Sequence, residues 1–217
     1  KKDEVQQISL SGDFAKVLNG EVAPREVSGG EIDDSLCSIV EQLREQHEEC
    51  KTSISLTPDG RFLLQVNPTI GTADSVNNIF AEPPEGKKVI EIHNHPVHVD
   101  PVTHIETSYE FFSAPDLTAF VFREGTHMAE AVIFKTGTAI LLKTPESEQI
   151  ISEAIAKTGH GRWAWTTLGN NLSKEFVERV PNESLEERRG FSVDFAKKYA
   201  MRLLFIPSND RQIRVLV

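Results

Sequence analysis

Three observations predict an α+β fold for this chain. Apolar residues recur at three- and four-residue intervals over Leu36, Ile39, Val40 and Leu43. Polar and apolar side chains alternate through residues 52–57, ahead of a Pro58-Asp59-Gly60 turn. An apolar run ending in His93-Asn94-His95 stops at Pro96. The first spacing is that of a helix packed on one side, and the other two are signatures of strands.

In chain order, residues 5–10 read as a short strand, and the polar, glycine-containing sequence to residue 32 reads as a loosely packed lead-in. Asp33 or Asp34 can cap the helix that follows, whose periodic pattern runs to about residue 48. Residues 52–57 and 61–66 form a hairpin around Pro58-Asp59-Gly60. Asn67-Pro68 with Gly71-Thr72, and Pro83-Pro84-Glu85-Gly86, mark two loops; residues 73–80 between them carry no decisive pattern. Residues 87–95 form a strand that ends where proline can no longer donate to a ladder. Residues 96–112, with His98, Asp100, Pro101 and His104, read as a long loop. Ser113-Ala114-Pro115-Asp116 is a helix start: Ser113 caps, and Pro115 falls in the first turn, where its missing N–H does no harm. A short helix follows, then strands over 119–123, 129–135 and 138–143 and a helix over 146–157. Residues 159–217 read as a C-terminal α/β extension, with helices near 173–179 and 184–202 and strands over 203–206 and 212–217. Within it, Trp163 and Trp165 would share one face if their segment is extended, and Glu186-Glu187-Arg188-Arg189 reads as a solvated helix face. The expected division is a lead-in over 1–32, a catalytic domain over 33–158 and the extension over 159–217.

Hydrophobic residues make up 39% of the chain and charged residues 26%, the mixture of an ordinary folded protein. A net charge of -10 argues against a protein built to grip nucleic-acid phosphates. No stretch approaches the ~20 consecutive apolar residues that span a bilayer, and the first residues lack an apolar leader core. Cys37 and Cys50 are read as reduced thiols of an intracellular protein, and the expected location is cytoplasmic.

Side chains two apart on a strand share a face, so His93 and His95 point together and Asn94 points away. Catalytic zinc sites take three protein ligands and leave the fourth position to water, so two imidazoles call for a carboxylate from elsewhere. Asp116, in the first turn of its helix, can supply one if that helix packs back across the strand's end. Ser113 then faces the same space. Asp100 is a rival, but no helix fixes it.

Glu…His-x-His…Ser-x-x-Asp resembles the motif of the JAMM (JAB1/MPN+) zinc metalloproteases. His93-Asn94-His95-Pro96 with Phe112-Ser113-Ala114-Pro115-Asp116-Leu117 is similar to the family's prokaryotic branch, as are the Asp-Gly hairpin turn and the Pro-x-x-Gly-Thr segment from Pro68 to Thr72. The resemblance covers about residues 33–145. It implies a mixed sheet flanked by helices in a cytidine-deaminase-like JAB/MPN arrangement. It also implies one Zn2+ per chain on His93, His95 and Asp116, with Ser113 hydrogen-bonding the reacting groups. The implied substrate is a protein or peptide, typically at the C-terminal tail of ubiquitin or a ubiquitin-like protein. Two departures stand out. Seventeen residues separate His95 from Ser113, more than is usual in the family; a surface loop of that length is tolerated at small entropic cost. The family's general base is a Glu upstream of the histidines, and Glu49, 44 residues before His93, is the choice, with Glu48 as runner-up. The glycines that usually follow this Glu are replaced by Cys50-Lys51-Thr52.

The expectation is a zinc-dependent isopeptidase or peptidase whose partners are neither nucleic acid nor membrane. The competing expectation is a metal-free JAMM-like scaffold that binds a protein tail without cleaving it. A barrel amidohydrolase, which also uses His-x-His, needs ~250 residues and eight strand–helix repeats that this chain lacks. Residues 97–111 begin two residues after His95 and end two before Ser113, so both ends border the site. The segment is expected either to clamp an extended substrate with Ile105, Tyr109 and Phe111 or to be a surface excursion.

Overall fold

A computed structural model describes residues 4–71, 87–122, 128–159 and 162–217. The first elements are β1 (Val5–Ile8), α1 (Asp13–Leu18) and α2 (Asp34–Arg44). The hairpin β2 (Cys50–Leu56) and β3 (Phe62–Gln65) follows, then β4 (Thr69–Ile70) and β5 (Lys87–Asn94). A small ribbon of β6 (Val97–Val99) and β7 (Glu106–Ser108) leads to α3 (Ala114–Phe122). Then come β8 (Ala129–Phe134), β9 (Gly137–Leu142), α4 (Pro145–Thr158), α5 (Arg162–Arg179), α6 (Leu185–Lys198), β10 (Arg202–Pro207) and β11 (Arg214–Val215). The undecided segment 73–80, the 83–86 loop and residue 123 lie outside the described residues.

Nine described strands form one mixed sheet in the order β1-β3-β2-β5-β8-β9-β10-β11, with β4 pairing to the start of β2. β5 and β8 run parallel, which requires a crossover, and α3 lies in that connection. The neighbouring pairs are antiparallel. Alternation sends Ile90, Ile92, Ala131, Ile133 and Ile140 to a face covered by α1 and α2. Val132, Phe134 and Leu141 point to the other face, under α3, α4, α5 and α6. The molecule is thus α+β, a mixed sheet between two helical layers. No helix among the described residues is long and apolar enough to cross a membrane.

Several expectations are corrected. The lead-in is not loose: β1 pairs with β3, and Phe14, Val17 and Leu18 of α1 are buried in the main core. Residues 119–122 continue α3 rather than forming a strand, because the Ser113–Asp116 cap starts a helix whose apolar run is buried against α5. A short, wholly apolar run has no period to separate the two states. Gly169 of α5 permits that approach, since a Cβ there would stand 3.1 Å from Thr118 Cγ2. Residues 162–172 are helical, so Trp163 and Trp165 point about 200° apart and share no face. The 97–111 segment contains a hairpin where a plain loop was expected. Arg188 is buried, not solvated: its guanidinium stacks over the Tyr109 and Phe176 rings and pairs with Glu183. Residues 159–217 are continuous with the rest, because β10 extends the main sheet beside β9.

Candidate metal centre

Strand alternation builds half of the site. Ile90, Ile92 and Asn94 face the α2 layer, whereas Glu91 and His93 face α3. His95 follows β5 directly, and its N–H donates to the Ile133 carbonyl at 2.7 Å, which keeps it in line with the ladder. Cap chemistry builds the other half. Ser113 Oγ accepts from the Asp116 N–H at 3.3 Å, while Asp116 Oδ2 accepts from the Ser113 N–H at 2.7 Å and its hydroxyl at 2.6 Å. This reciprocal bonding starts α3 and holds the carboxylate over the end of β5.

One ligand atom from each of His93, His95 and Asp116 lies within 4.8 Å of the others, so the trio could hold a metal ion. His93 Nε2 stands 3.3 Å from Asp116 Oδ1, and His95 Nε2 stands 3.3 Å from Oδ2. Two ligands about 2.0–2.1 Å from one tetrahedral ion are about 3.3 Å apart, so each histidine stands at a zinc-compatible distance from one carboxylate oxygen. Behind the rings, His95 Nδ1 lies 3.0 Å from the Tyr109 carbonyl, which can only accept, so Nδ1 carries a proton and Nε2 is the nitrogen left to a metal. His93 Nδ1 lies 3.5 Å from Glu130 Oε1. Such groups behind ligating imidazoles orient them and raise their basicity. His93 is 1% exposed, yet neither ring nitrogen makes an aligned hydrogen bond. A buried nitrogen left short of a partner is the deficit that a metal ion removes.

Without metal, the trio behaves as an ion pair. Burial works against charge on His93, but the Asp116 carboxylate and hydrogen-bonding contacts with Asp116 and Glu130 outweigh it and push the imidazole up to about 10. Burial likewise works against the Asp116 carboxylate, and His93 and His95 overcome it, holding the group well below the usual range.

Glu49 sits in the turn between α2 and β2, half-buried and close enough for the charges of the trio to act on it. Burial pushes its carboxyl up, against the lowering influence of His93 and His95. Glu48 is exposed. Asp100 is exposed too and accepts from the Val102 and Thr103 N–H groups at 2.8 and 2.7 Å, which employs it in the hairpin turn and not in the trio. His98 is half-buried edge-on to the Tyr109 ring, and His104 is exposed.

Two contributors escaped the sequence reading: Glu130 and the Tyr109 carbonyl. The signal for Glu130 was available, since it is the one acid in the apolar strand from Ala129 to Phe134. Glu91 stands out in β5 in the same way; it is buried and pairs with Lys51 at 2.7 Å and Lys88 at 3.6 Å. In comparisons with family models, curated proteins and solved structures, nothing matches this chain.

Proposed function

We propose that this chain is a zinc-dependent hydrolase of the JAMM type, with a cytidine-deaminase-like JAB fold, that cuts an isopeptide or peptide bond. The C-terminal tail of a ubiquitin-like protein is the proposed substrate. The observation that carries the reading is the convergence of His93, His95 and Asp116, with Glu49 half-buried in their electrostatic field. When bound, zinc supplies Lewis acidity, polarising a carbonyl and lowering the pKa of water from ~15.7 toward ~7.

The chain's own residues supply the rest. Glu49, with its carboxyl raised by burial, accepts a proton from the attacking water and returns it to the leaving amine. A carboxyl shifted toward neutrality is better matched to that exchange than an ordinary one. Ser113 donates its hydroxyl to Asp116 Oδ2 at the edge of the site; turned from that acceptor, the same O–H donates to the developing oxyanion. Tyr109 and Glu130 hold the two imidazoles in orientation.

The metal-free scaffold reading draws on one observation: His93 Nε2 and Asp116 Oδ1 lie 3.3 Å apart, close enough to attract each other as an ion pair without a metal. Incubating the protein with lysine-linked di-ubiquitin and a panel of ubiquitin-like conjugates separates the two. Cleavage that stops with chelator and returns with zinc supports the hydrolase. Binding without cleavage, by a sample that takes up no zinc, supports the scaffold.

A further inference from the structure

Asn94 lies between the two histidines in sequence but on the opposite face of β5, and it is 1% exposed. A buried carboxamide is costly unless its donors and acceptor are met. Here they are met by one short piece of chain. Oδ1 accepts from the Cys50 N–H at 2.6 Å, and Nδ2 donates to the Glu48 carbonyl at 3.2 Å, with the Gln46 carbonyl 3.5 Å away. The first two bonds bracket Glu49. From the other side the Gly71 N–H donates to the Glu49 carbonyl at 2.8 Å, where β4 pairs with Cys50 and Lys51.

Glu49 itself belongs to no helix or strand. α2 ends at Arg44 and β2 begins at Cys50, so residue 49 has no ladder of its own on the Asn94 side. Bridging a carbonyl on one side of Glu49 and an N–H on the other takes a group that donates and accepts at once with a fixed separation. A carboxamide does this, and a carboxylate or a methyl group does not.

We propose that Asn94 is a positioning residue that fixes the backbone at Glu49 and so sets the general base against the metal centre; the inference rests on reading Glu49 as that base. One strand then orders both halves of the chemistry. His93 on one face of β5 ligates, Asn94 on the other holds the base, and their adjacency makes the ligand-to-base distance a property of strand geometry.

The test uses the full chain as Asn94→Ala and Asn94→Asp, each with and without zinc. In Asn94→Ala, amide hydrogen exchange at Cys50 should accelerate by about tenfold while Val132 in β8 keeps its protection, because the opening is local. Zinc affinity should move far less than the ~10–100-fold that follows loss of a partner behind a ligand. Against lysine-linked di-ubiquitin, kcat should fall by ~10–100-fold at unchanged KM, the scale of a misplaced group. Asn94→Asp keeps the acceptor for Cys50, so its amide should stay protected while kcat falls partway; this variant also serves if the alanine form does not fold. In a Glu49→Gln background, Asn94→Ala should cost nothing further. Unaltered Cys50 exchange, or an equal loss of kcat in the Glu49→Gln background, overturns the proposal. Full activity of Glu49→Gln alone, with Asn94 intact, is instead a failure of the base assignment.

Discussion

The floor and the rim of the candidate site are built on opposite terms. On the floor, His93 and Glu130 are 1% exposed and His95 is 9% exposed, and each ring has a group behind it. The groups behind the two rings restrict their reorientation. On the rim, the β6–β7 hairpin leaves Val99, Val102, Ile105 and Tyr109 exposed, and its strands pair only with each other among the described residues. The two regions meet at Tyr109, whose carbonyl faces His95 while its ring lies under Arg188. The candidate metal ligands thus lie in the more constrained region. The rim offers apolar side chains and open strand edges, joined to the floor through a backbone carbonyl.

That contrast breaks most visibly at the ligands. In His93→Ala or Asp116→Ala the stabilisation by added zinc should vanish; at 1,000 times the wild-type Kd it amounts to ~4 kcal/mol, read as a zinc-dependent rise in Tm. A retained rise in Asp116→Ala would move the ligand role elsewhere, with Asp100 the first candidate. Glu49→Gln comes next: turnover should drop by ~10²–10⁴ with zinc still bound, since a base is not a ligand. Wild-type turnover there removes Glu49 from the mechanism.

Glu130→Gln tests the support beneath the floor and should weaken zinc by ~10–100-fold in a chelator competition, with equal affinity contradicting its role. The same region dictates a pH dependence. The stability that His93 contributes without metal is fully present below pH 6.5 and is lost as pH rises through about 10. That of Asp116 is present above its ordinary 3.8 and is lost as pH falls through its depressed value. Zinc requires the neutral imidazole and so competes with a proton. The stabilisation by a fixed zinc concentration should therefore grow from pH 6.5 upward by as much as ~1.4 kcal/mol per pH unit, and a flat profile contradicts the pairing.

The smallest effect belongs to the rim. Replacing residues 98–107 with a short Gly-Ser linker, which spares the Tyr109 carbonyl behind His95, should leave the zinc affinity near that of wild type and raise KM for a protein conjugate several-fold. Unaltered KM and kcat would make the hairpin decoration.

The parts of the site that follow from local rules were legible in the sequence. Period-two alternation puts His93 and His95 on one face, and a Ser-x-x-Asp cap brings Asp116 to a helix start. The supporting partners are not local: Glu130 meets His93 only because β5 and β8 run parallel in one register, and Tyr109 meets His95 only because the hairpin folds back. Asn94 could be seen to point away, but its role depends on where the chain after α2 passes. The errors in the fold have the same origin. Residues 119–122 and 162–172 carry no clear period, and their packing against each other makes both helical.

Elemental analysis of zinc-saturated, desalted protein tests the central claim most directly. The account predicts about one zinc per wild-type chain and almost none in Asp116→Ala, as expected of a site with three protein ligands. A wild-type chain that retains no zinc, or an Asp116→Ala chain that retains as much as wild type, would contradict it.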